Sequence, residues 1–217
     1  MGIMKKIYII GAGGHAKVIA DIVLKRKELL SEKLELMGFF DDKEDKSELI
    51  FGKPILGNID EIEKITQNKE IYFIIGIGNN KIRKLIFEKY KLNYYTAIHP
   101  NSIIGNEVKL GIGTVVMAGA IINSYTIIGE HSIFNTGAVI DHECNIGSYS
   151  HICPRVAIAG NVAVGQETWV GIGSIVKQGI IIGNKVMIGA GSLVLKNIED
   201  KKLAYGHPCV EIGENNV

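Results

Sequence analysis

The sequence predicts two domains of unlike construction, a small α/β unit followed by a parallel β-helix. Charge falls sharply near Ala97: residues 1–96 hold 17 Lys+Arg and 14 Asp+Glu, whereas residues 97–217 hold 7 and 9. Glycine moves the other way, 9 before that point and 17 after it. From Ile98 to Val194 every sixth residue is aliphatic or Phe, 17 positions in succession. With 47% hydrophobic residues in the chain, one phase does this by chance about three times in a million. The expected domains are 1–96, 97–200 and a C-terminal tail, 201–217.

In the first domain, Lys6 to Ile10 is an apolar β-branched strand that meets Gly11-Ala12-Gly13-Gly14-His15-Ala16. Val18, Ile19, Ile22 and Val23 then recur at helical spacing as far as Lys27. A second strand, Leu34 to Phe40, ends in Asp41-Asp42, and a third, Ile71 to Ile77, ends in Gly78-Asn79-Asn80. An amphipathic helix with Ile82, Leu85, Ile86 and Tyr90 follows. Strands alternating with helices imply a small Rossmann-like parallel sheet, with all three polar tips gathered at the strand carboxyl ends.

A six-residue period fits neither the 3.6 of a helix nor the 2 of a lone strand. It fits short strands separated by turns and wound into a narrow prism. The second hexad place is often Gly, Asn or Asp, as at Gly105, Gly129, Asn135, Asp141 and Gly147. The fifth place is small or β-branched, as at Thr114, Ala120, Thr126, Cys144, Ser150 and Thr168, with Ile180 bulky there. First and fifth places point inward, and the thin prism explains why aromatics make up only 7% of the chain.

A charged fraction of 22% and positive mean hydropathy exclude a disordered chain. A net charge of +1 gives no electrostatic case for nucleic acid or an acidic membrane. No apolar run approaches the roughly 18 residues of a membrane span, so membrane insertion is not expected. Three cysteines without a CxxC pair fit a reducing cytoplasm better than a disulfide or zinc framework. The histidines lack metal-ligand spacing, and no metal is expected.

The chain resembles the left-handed β-helix (hexapeptide-repeat) acyltransferases. Within them it resembles the sialic acid O-acetyltransferase group, which includes bacterial nucleotide-activated 4-amino-sugar N-acetyltransferases. The carrying motifs are Ile9-Ile10-Gly11-Ala12-Gly13-Gly14-His15, Phe40-Asp41-Asp42, Ile77-Gly78-Asn79-Asn80-Lys81-Ile82-Arg83 and the run Asn135 to Cys144, continued by Gly147, Ser150-His151 and Ala159-Gly160-Asn161. The resemblance implies left-handedness, a homotrimer, and acetyl-CoA as co-substrate in grooves between neighbouring β-helices. It also implies transfer to a UDP-, dTDP- or GDP-linked amino sugar of glycan or O-antigen biosynthesis. O-acetylation of a sialic acid or other sugar hydroxyl is the alternative. A non-catalytic scaffold and an NAD-dependent oxidoreductase are readings from other classes.

Gly11 to Ala16, between strand and helix, offers backbone N–H groups and a positive helix end to phosphate oxygens. The resemblance puts Gly13, Gly14 and His15 near the phosphates or sugar, and Gly78 beside the nucleotide. Asp41 and Asp42 suit a base imide or a ribose hydroxyl. His142 holds the third, outward hexad place, and an imidazole suits proton removal from an amine or hydroxyl attacking a thioester. Glu143 orients it in the resemblance, but adjacent strand residues point apart unless the chain turns, so Asp141 is also a candidate. On the three hexads per coil that the resemblance implies, Gly160 lies one full coil beyond His142, where its amide is expected to meet the developing oxyanion. His151 is expected to contact acetyl-CoA, and Ile172 and Ala190 match groove-lining positions. Cys144, inward, is expected to be an inert core thiol. His99 and His207, each before a proline, are expected in turns.

Overall fold

The computed structural model describes residues 3–43, 45–66 and 69–215. The chain separates into two compact units, Met1–Pro100 and Asn101–Val217.

In the first unit, β1 (Lys5–Ile10), β2 (Leu34–Phe40), β3 (Ile55–Gly57) and β4 (Ile71–Ile75) form one parallel sheet in the order β3-β2-β1-β4. The central β1 buries Ile7, Tyr8, Ile9 and Ile10, as a strand covered on both faces must. Helix α1 (Gly14–Leu30) buries Ala16, Ile19, Ala20, Ile22 and Val23 and ends at Ser31 in the left-handed region. Helix α2 (Asn80–Lys89) departs from its expected apolar face. Ile82 and Leu85 are exposed, whereas Arg83 and Ile86 are buried. The arginine takes the inward position that pattern reading assigns to an aliphatic. Tyr8, Phe40, Phe73, Ile62, Ile86 and Tyr90 share one core cluster. Because the sheet is parallel, the ends of β1, β2 and β4 lie on one edge. There the Gly11 N–H donates to Phe40 O and the Gly76 N–H to Ile10 O, both at 2.7 Å.

In the β-helix each hexad carries a two-residue strand, from Ala97–Ile98 to Leu193–Val194, and the second residue of each is the inward one. Each strand pairs in parallel with the one three hexads further along the chain, as Ile133 with His151 and Val139 with Ala157. Three faces result. The first carries Val115–Val116, Ile133–Phe134, His151–Ile152, Trp169–Val170 and Met187–Ile188. The second runs from Ile103–Ile104 to Leu193–Val194, and the third from Lys109–Leu110 to Ile181–Ile182. From Val116 onward every first-place residue is at most 3% exposed.

The fifth-place hydroxyls are a second ladder that hydrophobicity does not reveal. Thr114, Thr126, Ser132, Ser150, Thr168 and Ser174 each donate to a carbonyl of the next coil, at 2.7–3.1 Å. Thr168 Oγ1 also accepts the Val186 N–H at 3.0 Å. Thr168→Val keeps the shape and orphans that buried N–H, so it is expected to cost about 1–3 kcal/mol in chemical denaturation. Second-place glycines have a separate cause: a Cβ at Gly147 would lie 2.5 Å from the Gln166 nitrogen of the next coil.

The expected tail begins as a hairpin of Lys202–Gly206 and Cys209–Glu214 whose first strand pairs with Met187–Ile188. Met187 faces Leu203 rather than Tyr205, so the last coil is shorter than those before it. His207 lies at the hairpin turn, whereas His99 is buried between Ala97–Ile98 and the turn at 100–101. The last two residues of the tail, 216–217, lie outside the described residues. No helix among the described residues is long and apolar enough to cross a membrane.

Candidate active site

The catalytic candidates meet at the corner between the second and third faces. Val139–Ile140 leads into Asp141-His142-Glu143-Cys144 and then Asn145–Ile146. Glu143 is in the left-handed region, φ 59°, so the chain turns between neighbours that a strand would splay. The turn brings Glu143 Oε2 to 3.0 Å from His142 Nδ1. The other carboxylate does different work. Asp141 Oδ1 accepts the His142 backbone N–H at 2.8 Å and the Asn123 side-chain N–H at 3.0 Å. These two bonds hold the Asp141 carboxyl below the usual carboxylate range. Asp141 thus pins the backbone beneath the histidine, and Glu143 alone meets the ring. Thr126 Oγ1 adds a second pin by donating to the Asp141 carbonyl.

Gly160 is one coil further on. The Asn161 N–H donates to His142 O at 2.9 Å, and a Cβ at Gly160 would lie 2.7 Å from both Cε1 and Nε2 of His142. The imidazole therefore rests on the bare glycine backbone. Cys144 is buried, its Sγ 3.3 Å from Ala159 O, and burial raises its thiol pKa. With Nδ1 against a carboxylate, the proton belongs on Nδ1, and the Nε2 lone pair remains to accept another. Both side chains are more than half exposed, so solvent screens their attraction. Glu143→Gln is therefore expected to lower kcat only about tenfold in steady-state kinetics, leaving the unfolding midpoint unchanged.

The coenzyme candidates are elsewhere on the prism. His151 is on the first face, and Ile172 and Ala190 are at the corner between the first and second faces. His151 occupies an outward place yet is 4% exposed, its ring 4.2 Å from that of Trp169 and its Nε2 3.1 Å from Asn135 Nδ2. Ile172 and Ala190 are exposed. The structure thus brings Asp141, His142, Glu143 and Gly160 together, and within one chain it keeps His151, Ile172 and Ala190 apart from them.

In the first unit, Gly13 and Gly14 are exposed, and an added Cβ at either would enter open space. Helix α1 starts there with no side-chain cap, unlike α2, where Asn79 Oδ1 accepts the Ile82 N–H, and it has no acidic residue in its first turn. Asp41 is committed to the same turn: Oδ2 accepts the Ala12 N–H at 2.6 Å, and Oδ1 the Lys43 N–H at 2.9 Å. Asp42 Oδ1 accepts the Ile59 N–H at 2.8 Å. Both aspartates shape the crevice through backbone groups. Burial, and then the Arg83 charge, hold the His15 imidazole down at about 4, so it is neutral at pH 7. The Gly78 carbonyl accepts from Arg83 Nη1. A cavity of about 460 Å³ beside Asp42 is lined by Asn58, Ile59, Ile82, Leu85 and Tyr90, which accounts for the two exposed aliphatics of α2.

Asn123 stands in none of the quoted motifs, and Asn135 and Arg83 stand in them without a role of their own. Asn123 lies one coil before Asp141, so coil spacing alone finds it, whereas nothing in the pattern marks Arg83 as buried. Among the described residues no group of three His, Cys, Asp or Glu is arranged to hold a metal ion.

Residues 6–90 match the PglD N-terminal domain family. Over 108 residues the chain is 38% identical to the UDP-N-acetylbacillosamine N-acetyltransferase of Bacillus subtilis, a match covering 46% of each. The chain thus spans about half the length of that curated relative. The acetyltransferase domain of PglB from Neisseria gonorrhoeae, in complex with acetyl coenzyme A, is similar at TM-score 0.88 and 29% identity, over 96% of this chain and 99% of that one. A histidine-to-asparagine variant of perosamine N-acetyltransferase from Caulobacter crescentus, in complex with CoA and GDP-perosamine, is similar at TM-score 0.88 and 32% identity, over 98% and 99%.

Proposed function

The chain belongs to the bacterial nucleotide-amino-sugar N-acetyltransferases of left-handed β-helix fold, and on that premise we propose that it transfers acetyl from acetyl-CoA to the amine of a nucleotide-linked 4-amino sugar. The observation that carries the reading is the His142–Glu143 pair seated over Gly160. Acetyl-CoA supplies the activated thioester. His142 Nε2 takes the proton of the attacking amine, Glu143 holds the Nδ1 proton, and the Gly160 N–H donates to the thioester oxygen as charge develops, before the C–S bond breaks and CoA leaves as the thiol with that proton. Cys144 is buried among backbone carbonyls with a raised pKa, so direct attack by the amine is the economical route.

In this reading the first unit is the nucleotide-sugar domain. Gly13, Gly14 and the uncapped start of α1 receive the diphosphate, with His15, Asp41, Asp42 and Gly78 around sugar and base. The second unit is the acetyltransferase domain, with His151, Ile172 and Ala190 serving the coenzyme. The separation of His142 and His151 to different parts of the prism supports a homotrimer. Head-to-tail packing sets one protomer's catalytic corner against the coenzyme-binding side of the next, and three such contacts close a ring. Three free cysteines suit a cytoplasmic location.

The test is release of CoA thiol from acetyl-CoA with UDP-, dTDP- and GDP-linked 4-amino sugars, with mass spectrometry of the product. One acceptor is expected to gain a base-stable acetyl group. Absence of thiol release with every amino sugar overturns the reading, and a base-labile product transfers it to a hydroxyl.

A further inference from the structure

Arg83 is the bulkiest fully buried side chain among the described residues, 1% exposed. A guanidinium stays charged at any working pH, and burying one is costly unless its donors are used. Three of the bonds it makes are on one turn. Nη1 donates to the Ile77 and Gly78 carbonyls, both at 3.1 Å, and Nη2 to Asn80 Oδ1 at 2.8 Å. That turn touches the glycine turn of β1: a Cβ at Gly11 would lie 3.0 Å from Ile77 Cγ1 and 3.1 Å from Gly76 O. The charge therefore lies behind both loops at the sheet's carboxyl edge, beneath protein rather than in solvent. Its field reaches His15 in the first turn of α1, whose imidazole it helps to keep neutral. A merely structural tie for the Ile77–Gly78 carbonyls would serve as an uncharged amide. A fixed cation there does something more, because charge acts over several ångströms in a weakly screened interior.

We propose that Arg83 is a positioning residue for the substrate's diphosphate, raising the affinity of the glycine turn for phosphate through its buried charge and its hold on the Gly78 turn, without touching the ligand. This rests on the nucleotide-sugar reading above. It assigns the diphosphate selectivity of the site to a residue of α2 rather than to surface lysines. Lys17, exposed, and Lys43, half-buried, are both paired to Glu48 and are then secondary.

The test is calorimetric titration of the full-length protein with matched nucleoside diphosphates and nucleosides: UDP and uridine, dTDP and thymidine, GDP and guanosine. Wild type is expected to bind one diphosphate about 100-fold more tightly than its nucleoside. Arg83→Gln keeps an N–H donor for the turn and removes the charge. It is expected to lower that ratio about tenfold or more, with nucleoside affinity within about threefold of wild type. Arg83→Lys keeps the charge and is expected to retain most of the ratio. A full ratio in Arg83→Gln, or a collapsed ratio in Arg83→Lys with normal nucleoside binding, overturns the proposal. The lysine variant decides the matter should the glutamine variant not fold. Wild-type protein that binds no diphosphate above its nucleoside removes the nucleotide-sugar reading itself, and the proposal with it.

Discussion

His142→Ala is expected to lower kcat by about two to four orders of magnitude, the usual contribution of a positioned general base. The side chain is more than half exposed and contributes nothing to the prism's interior, so the unfolding midpoint should stay put. Equilibrium binding of CoA and of the nucleotide sugar should also be unchanged, because neither is assigned to this imidazole. Steady-state kinetics beside calorimetry separates the effects. Near-normal turnover would remove His142 as the base, and a parallel loss of binding would make it a ligand contact.

Gly160→Ala should match that loss in kind with a smaller atomic change. Gly160 is outside the left-handed region, so alanine meets no backbone strain. The new methyl would sit 2.7 Å from two atoms of the His142 ring. A ring on an exposed side chain can swing away, so the fold is spared and the geometry is not. Displacement of a catalytic group by about 1 Å costs on the order of 100-fold. We expect kcat to fall about 10–100-fold with stability within about 0.5 kcal/mol of wild type. An active alanine variant would show that the ring works from another rotamer, and a crystal structure of the variant would show which.

Much of this was legible because it is periodic. Seventeen matching hexads leave few alternatives, and with the three hexads per coil that the resemblance implies they stack Gly160 on His142. What escaped was non-periodic or depended on turn geometry. Ile82 and Leu85 read as a core face, since spacing does not say that Arg83 takes the inward position. The resemblance assigned the ring to Glu143 and strand geometry kept Asp141 open, and the left-handed Glu143 separates a backbone pin from a ring partner. His151 was expected to contact acetyl-CoA, and spacing does not say that Trp169 and Asn135 pack against it and leave it buried within the chain. The hydroxyl ladder was hidden because small side chains satisfy the packing rule whether or not they donate.

The strict pairing of each strand with its counterpart in the next coil has a consequence for length variation. An insertion of one whole coil adds a storey and returns every later side chain to its own face. An insertion of a single hexad before Asp141 keeps all inward residues inward, yet rotates the catalytic pair to the next corner of the triangle. The core cannot detect that error, and only the reaction can. Relatives of this chain should therefore differ in β-helix length by whole coils upstream of the histidine, the shorter steps being purged for lost chemistry rather than lost stability.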